Sequence, residues 1–346
     1  MARRKPIVSV CIPTYNRPEF LRQAMESVFA QSFSDYELII SDNASEDSTA
    51  AVISSFKDCR IKHIRNAKNI GIVNNFNNCL AVANGQYITI FHDDDLMLPD
   101  NLSLKVRALD FNERVGMVHS NFNIIDEKGS ITKENANLSG VQTKDFIETG
   151  SNFLRRSLLG TNSVIMSSVF IRKECFTKLG GFSNKVLYTS DFEYWMRIST
   201  QYDIFFLATP LIHYRIYQYG WTSSQYATII SGVWFNNLKG LQEEYTARQI
   251  ILRKSKFMLD DWKNINRMVR KRMIDSVNLL IEKTYLNNGE KGKALKSVIQ
   301  VWWEFPDLMF EISTATLIVK VLLGLKMTRV LKGLVMTARY HKRRNY

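Results

Sequence analysis

The stretch YITIFHDDDLMLPD (residues 87–100) sets a short apolar run directly against three consecutive carboxylates, Asp93, Asp94 and Asp95. A brief β-branched and aromatic run bounded by turn-forming residues reads as a buried strand. The triplet therefore closes a strand, and adjacent like charges raise one another's cost of ionisation. Two arrangements offset that repulsion. One is a solvated turn whose carboxylates feed the start of the helix after Pro99 and Asp100. The other is a hard divalent cation, Mg²⁺ or Mn²⁺, that also takes phosphate oxygens.

Working outward, IVSVCIP (7–13), YELIIS (36–41) and IKHIR (61–65) read as three further strands. Between them lie helical patterns: one opening at Asn16-Arg17-Pro18-Glu19, a short one from about Ser48, and one over 74–82. Strands alternating with helices predict an α/β domain, a mostly parallel sheet covered by helices. Such sheets bind ligands outside the carboxyl ends of their strands. Three polar segments fall there: Thr14-Tyr15-Asn16, Asp42-Asn43-Ala44-Ser45 and Asp93-Asp94-Asp95. Connectivity alone predicts that they converge. Asp42 reads either as an acceptor for a base N–H or ribose hydroxyl, or as an ordinary turn residue before Asn43.

From residue 115 to about 150 the pattern is of shorter strands and turns, and 151–230 is mixed. In KLGGFSNKVLYTSDFEYWMRIS (178–199), Gly180-Gly181 marks a turn and Asp191 opens an amphipathic segment bearing Phe192, Trp195, Met196 and Ile198. Asp191 is either a helix cap or a general base facing a cleft.

The net charge of +13 is one-sided. Residues 231–346 hold 22 Lys/Arg against 10 Asp/Glu, and residues 1–230 hold 24 against 23, so the basicity belongs to the last third. Strand signals fade there too. The expected organisation is a domain over 1–230 and a basic helical region over 231–346. An anionic partner, membrane or nucleic acid, or simply a solvated helical face, accounts for such charge. Residues 314–346 carry eight Lys/Arg and no acid between apolar patches, which suits an amphipathic helix on an anionic lipid surface. A helix packed on the catalytic domain is the other reading. No nucleic-acid motif is present, so no nucleic-acid partner is expected. No 18-residue apolar run and no signal-peptide core occur, and the four cysteines form no CxxC pair. A cytoplasmic protein, peripheral on the inner face of the membrane, is the expected location.

Three ordered blocks together resemble the inverting family 2 glycosyltransferases of the GT-A fold. They are VSVCIPTYNRPEFLRQAMESVFAQSFSDYELIISDNASEDST, RNAKNIGIVNNFNNCLAVANGQYITIFHDDDLMLPDNL and SSVFIRKECFTKLGGFSNKVLYTSDFEYWMRI, and the resemblance covers about residues 6–220. It implies an enzyme that moves a sugar from a nucleoside-diphosphate sugar, UDP being the family's commonest carrier. The acceptor it implies is a hydroxyl of a glycan or lipid-linked glycan in surface-polysaccharide synthesis. It implies that Pro13, Thr14 and Tyr15 line base and ribose, that Asp42 bonds the base, and that Lys68, Asn69 and Gly71 flank the nucleotide. Asp93, Asp94 and Asp95 would hold ribose, sugar and metal-bound diphosphate, with Mn²⁺ or Mg²⁺ on Asp94 and Asp95. Asp191 would be the general base, and Arg215 and Trp221 would close over diphosphate and acceptor. The chain departs from the family pattern at three places. His92 stands where many relatives have the first Asp, Ser190 replaces the usual Glu, and Tyr217 stands where some relatives carry His. A catalytically silent membrane partner with the same fold is the competing reading, opposed by the presence of both the triplet and Asp191.

Overall fold

The computed structural model describes residues 5–136, 143–160, 162–217, 238–281, 290–308 and 321. The alternation read from the sequence is present: β1 (Val8–Thr14), α1 (Pro18–Phe29), β2 (Tyr36–Asp42), α2 (Thr49–Ser55), β3 (Ile61–Arg65), α3 (Ile72–Val82) and β4 (Tyr87–Ile90). Pro18 opens α1, where its missing N–H costs nothing. Strands β3, β2, β1 and β4 lie side by side and parallel. Their register sets Thr14 against Asp42 and Asp42 against Arg65, so the polar strand ends are level.

The second half of the sheet is less regular than the sequence suggests. The region after residue 115 opens with an 11-residue strand, β6 (Val115–Ile125), buried along almost its whole length, instead of the short strands expected. The short β5 (Leu96–Met97) precedes it, with α4 (Asn101–Phe111) between the two. Then come β7 (Ile131–Ala136), β8 (Phe146–Glu148), α5 (Gly150–Leu159), β9 (Phe170–Arg172), α6 (Lys173–Leu179), α7 (Ser190–Ser199) and the 13-residue β10 (Asp203–Arg215). The order is β3-β2-β1-β4-β9-β6-β10-β5, with β7 against β6 and β8 against β10. The three-residue β9 runs antiparallel between β4 and β6, while β10 runs parallel to β6. Pro210 cannot donate to a ladder, and the register of β10 shifts on either side of it.

Alternation along β1 feeds two cores. Val8, Val10 and Ile12 pack with Leu21, Met25 and Val28 of α1 and Leu102 and Leu109 of α4. Cys11 faces the other way, into a cluster with Val73, Phe76 and Leu80 of α3 and Trp195 and Ile198 of α7. Each apolar side chain buried this fully contributes about 1.5–3 kcal/mol. The sheet is thus held from both faces, which fixes where the strand ends point.

The chain divides into two compact units. One comprises residues 1–232 and 247–260, the other 233–246 and 261–346. Described helices of the last third are α8 (Leu238–Lys254), α9 (Trp262–Ile281) and α10 (Lys291–Glu304). Residues 247–260 cluster with the first unit, where Arg248 Nε donates to the Leu158 carbonyl at 2.9 Å and the guanidinium lies 4.9 Å from the centre of the Phe192 ring. Nearly all of the basic tail over 314–346 lies outside the described residues.

Candidate active site

The three polar segments converge. The Asn43 N–H donates to the Thr14 carbonyl at 3.0 Å, joining the ends of β1 and β2. Asn16 N–H donates to Ser45 Oγ and Asn16 Oδ1 accepts from Glu46 N–H, both at 2.9 Å. Asn16 and Ala44 both have positive φ, +52° and +65°. For Ala44 that conformation costs of order 1 kcal/mol, held by the bonds on either side. Thr14 Oγ1 then donates to Asp93 Oδ2 at 2.7 Å, which brings in the acidic turn.

All three triplet carboxylates are buried, Asp95 completely. Burial, with the Asp94 charge second, pushes Asp93 up to about 7, against hydrogen bonds from Thr14 and the Tyr15 N–H. The same two causes, in the same order, hold Asp95 well above the usual carboxylate range. Its Oδ2 accepts from Ser167 Oγ at 2.5 Å and its Oδ1 from the Arg215 N–H at 2.9 Å. Asp94 Oδ2 accepts from Arg17 Nη1 at 2.7 Å and from the Tyr217 hydroxyl at 3.0 Å. The turn is therefore neither solvated nor a helix cap. Asp100 precedes α4, and its side chain makes no cap bond.

Asp191 lies in the first turn of α7, one residue inside the start, and Thr189 holds the cap position. Its Oδ1 accepts from the Phe192 N–H at 2.7 Å and its Oδ2 from Asn162 Nδ2 at 3.3 Å. Burial pushes its carboxyl up to about 6, against those bonds. The expectation of a helix-capping Asp191 is corrected to this extent: it satisfies one first-turn donor from within the helix.

One segment, residues 162–168, joins the two carboxylate groups. Asn162 touches Asp191, Met166 Sδ lies 3.2 Å from His92 Nε2, and Ser167 Oγ bonds both Asp95 and the His92 N–H. Tyr214 of β10 is close enough to both groups that, after burial, the charges of Asp95, Asp94 and Asp191 all raise its hydroxyl. Nothing in NSVIMSS announces this role, because small polar residues in a loop carry no periodic signal.

Comparison with known proteins identifies the chain. The sequence model of "Glycosyl transferase family 2" matches residues 9–172. An uncharacterized glycosyltransferase of Methanocaldococcus jannaschii is 30% identical over 217 residues, covering 61% of this chain and 71% of that protein. The chain belongs to glycosyl transferase family 2. A GalNAc(5)-diNAcBac-PP-undecaprenol beta-1,3-glucosyltransferase of Campylobacter jejuni is 35% identical over 150 residues, or 41% of this chain and 48% of that one. The abequosyltransferase RfbV of Salmonella typhimurium is 31% identical over 184 residues, 49% of this chain and 53% of that one. The match thus spans about half the length of these two relatives. Among solved structures, S. aureus TarS 1-349 with UDP-GlcNAc superposes with a TM-score of 0.60 at 13% identity, covering 92% of each chain. The mannosyltransferase PcManGT of Pyrobaculum calidifontis, with GDP-Man and Mn²⁺, gives 0.53 at 16% identity, covering 99% of this chain and 83% of that one. These likenesses show the GT-A fold.

Several expected site residues of this family 2 glycosyltransferase take unexpected places. Arg215 is 1% exposed. Its Nε donates to the Asp94 carbonyl, Nη1 to the carbonyls of Asp126 and Glu127, and Nη2 to Gln23, with Phe20 under the guanidinium. The sequence expects Arg215 over a diphosphate; in the structure it is buried, and these four bonds tie its guanidinium to the acidic turn, to residues 126–127 and to α1. The half-exposed guanidinium at the triplet belongs to Arg17, which the sequence reading treated only as part of a helix start. Asp42 is fully buried, with Oδ1 on the Ser45 N–H and Oδ2 on Arg65 at 3.0 Å, leaving lone pairs on both oxygens. Pro13 is buried in β1, and Tyr15 is 44% exposed at its end. Asn69 Oδ1 accepts from Asn43 and from the Gly71 N–H, and Gly71 has φ +82°, a conformation that favours glycine. Lys68 is exposed beside them. Trp221 lies outside the described residues.

The donor set fits a divalent cation. His92, Asp94 and Asp95 each offer a ligand atom, all within 4.8 Å of one another. Opposite ligands of a bound Mg²⁺-sized ion lie about 4 Å apart, so small side-chain movements close the set. Burial pushes His92 down and keeps its imidazole neutral, the ligating form. A nitrogen beside two carboxylates favours Mn²⁺ over Mg²⁺. In this candidate set His92 stands beside Asp94 and Asp95, the two residues that the sequence expects to hold a metal.

Proposed function

We propose that this protein is a metal-dependent inverting glycosyltransferase. It takes a sugar from a nucleoside-diphosphate sugar, a UDP-sugar, to a hydroxyl of a glycan or lipid-linked glycan in cell-surface polysaccharide synthesis. The observation that carries the reading is the coupling, through residues 162–167, of a buried carboxylate with a raised pKa to a buried acidic turn at the sheet's ligand edge. The relative from Campylobacter jejuni, a glucosyltransferase whose name gives an undecaprenol-linked glycan, supports the acceptor class.

In this reading Pro13, Thr14 and Tyr15 line base and ribose, Asp42 accepts from the base, and Lys68, Asn69 and Gly71 flank the nucleotide. Asp93 serves ribose and sugar. Asp94 and Asp95, with His92, hold the cation, which when bound supplies positive charge to the departing diphosphate. Asp191 accepts the acceptor's hydroxyl proton. The acceptor oxygen attacks the anomeric carbon opposite the leaving nucleoside diphosphate, one C–O bond forms as the other breaks, and configuration inverts. A carboxyl poised near 6 is ionised at neutral pH yet basic enough to share a proton in the transition state.

The catalytic part is residues 1–230, and 231–346 is a basic region that rests on an anionic membrane at the cytoplasmic face. Leu295, Ile299 and Trp303 support this. They recur every fourth residue on α10 and are 37%, 52% and 87% exposed, among the lysines of a strongly basic third. Among the described residues no helix is long and apolar enough to cross a membrane.

The decisive measurement is UDP binding by calorimetry, first with Mn²⁺ and then with EDTA. Binding is expected only with the cation, and Asp94→Asn should weaken the metal-dependent part more than Asp93→Asn. Equal, strong affinity with and without Mn²⁺ would remove the metal from the mechanism. Release of nucleotide from a panel of sugar nucleotides then names the donor.

A further inference from the structure

The acidic turn already holds a cation of its own. Arg17 is the last residue before α1, and its side chain is 47% exposed while those of Asp93 and Asp94 are each 10% exposed. Its Nη1 lies 2.7 Å from Asp94 Oδ2 and 3.6 Å from Asp93 Oδ1. Tyr217 completes the arrangement: its hydroxyl donates to the same Asp94 oxygen, and the guanidinium carbon lies 5.8 Å from the centre of its ring. A half-exposed Arg normally gains little from a surface carboxylate. Here it reaches two carboxylates that the fold has withdrawn from water, at the one edge where β1, β2 and β4 end together.

We propose that Arg17 is a resident counter-ion that exchanges with the divalent cation and then pairs with the donor's diphosphate. The proposal rests on the metal-dependent reading above. Asp94 is shared by the two states: it is the carboxylate bonded by Arg17, and it belongs to the set His92, Asp94, Asp95 that can ligate a metal. A guanidinium at 2.7 Å and a divalent ion on the same carboxylate repel, so tight occupancy by one disfavours the other. Arg17 has somewhere to go, because its half-exposed side chain borders solvent beside the triplet, where a diphosphate would bring two or more negative charges. Guanidinium binds phosphate oxygens bidentately, and it is more weakly hydrated than an ammonium, so the transfer from carboxylate to phosphate is easy. The exchange makes cation and nucleotide bind cooperatively. The cation alone must evict Arg17, whereas the cation with diphosphate gives Arg17 a new partner.

The test is Mn²⁺ binding without nucleotide, read as free Mn²⁺ by electron paramagnetic resonance, followed by calorimetric titration of UDP at saturating Mn²⁺. Arg17→Gln should bind Mn²⁺ alone more tightly than wild type, about tenfold, and UDP–Mn²⁺ more weakly by about the same factor, both within the usual range of coupled sites. Arg17→Lys, which keeps the charge, should restore the wild-type Mn²⁺ affinity. If Arg17→Gln leaves Mn²⁺ affinity unchanged while Asp94→Asn abolishes it, the exchange is wrong and the metal site stands. Tighter Mn²⁺ with undiminished UDP affinity overturns the pairing with diphosphate. If neither wild type nor Arg17→Gln binds Mn²⁺ with or without UDP, the metal-dependent reading itself falls.

Discussion

At the scale of single residues, the burial that would prepare Asp191 for the proposed role of base also burdens the fold. Its carboxyl is pushed up to about 6, whereas the unfolded carboxyl ionises near 4. Between those two values the native state holds the extra proton, so this group's contribution to stability falls as pH rises through the window and stays low above it. Activity runs the other way: kcat/KM should fall as pH drops below about 6, because the base is then protonated. Asp191→Asn keeps the acceptor for the Phe192 N–H but removes the charge. The variant should lose on the order of 10²–10⁴-fold in transfer rate while still binding UDP–Mn²⁺. It should also gain stability at pH 7 relative to pH 4, by at most about 3 kcal/mol for a shift of roughly two pH units. Denaturant midpoints at the two pH values measure that gain. A variant with near-normal turnover rejects Asp191 as the base, and one with no pH-dependent gain rejects the burial argument.

At the scale of elements, α4 carries an unusual feature, Lys105, fully buried with no hydrogen-bond partner for its Nζ among the described residues. Its Nζ lies over the Phe170 ring, 5.1 Å from the ring centre. Burial holds the amine well below its ordinary range. The unfolded chain therefore binds a proton that the native state refuses, and the penalty grows as pH falls from about 10 toward the folded value. Lys105→Met keeps length and apolar stem, and should raise the unfolding free energy by roughly 1–3 kcal/mol, read as a higher denaturant midpoint with m unchanged. An unchanged or lowered midpoint would mean that the amine has a hydrated or paired environment. Elements also mark how far the sequence could be read. β1 to β4 were legible because each is a short apolar run closed by turn chemistry, and the acidic turn followed from β4. The three residues of β9 were not, since their place between β4 and β6 depends on partners over 80 residues upstream and over 50 away. The places of Arg17 and Arg215 were not legible in the sequence for a related reason. Both are arginines beside the same turn, and only the packing of Gln23, Phe20 and the residue 126–127 carbonyls makes one a buried staple and leaves the other exposed.

At the scale of the whole molecule, the charge is concentrated in the last third of the sequence, with nearly all of the net +13 in residues 231–346. Each basic side chain near an anionic leaflet contributes about 1 kcal/mol at most, and salt screens that attraction. Apolar side chains inserted at the interface are not screened. Binding to vesicles should therefore have two separable parts. A chain ending near Lys326 lacks six of the tail's eight basic residues, Arg329, Lys332, Arg339, Lys342, Arg343 and Arg344. It should cosediment less with phosphatidylglycerol vesicles at low salt and differ little from wild type at about 0.5 M NaCl, where the Debye length is only a few ångströms. Trp303→Ser should show the opposite pattern, with its loss persisting at high salt, because Trp303 is 87% exposed on the apolar row of α10. Neither change touches the residues proposed to bind nucleotide or act as base, all of which precede residue 220, so both variants should still glycosylate a soluble acceptor analogue. Vesicle binding unchanged in both would remove the membrane from the function. Unfolding of the shortened chain would instead place the tail in the core of the second unit.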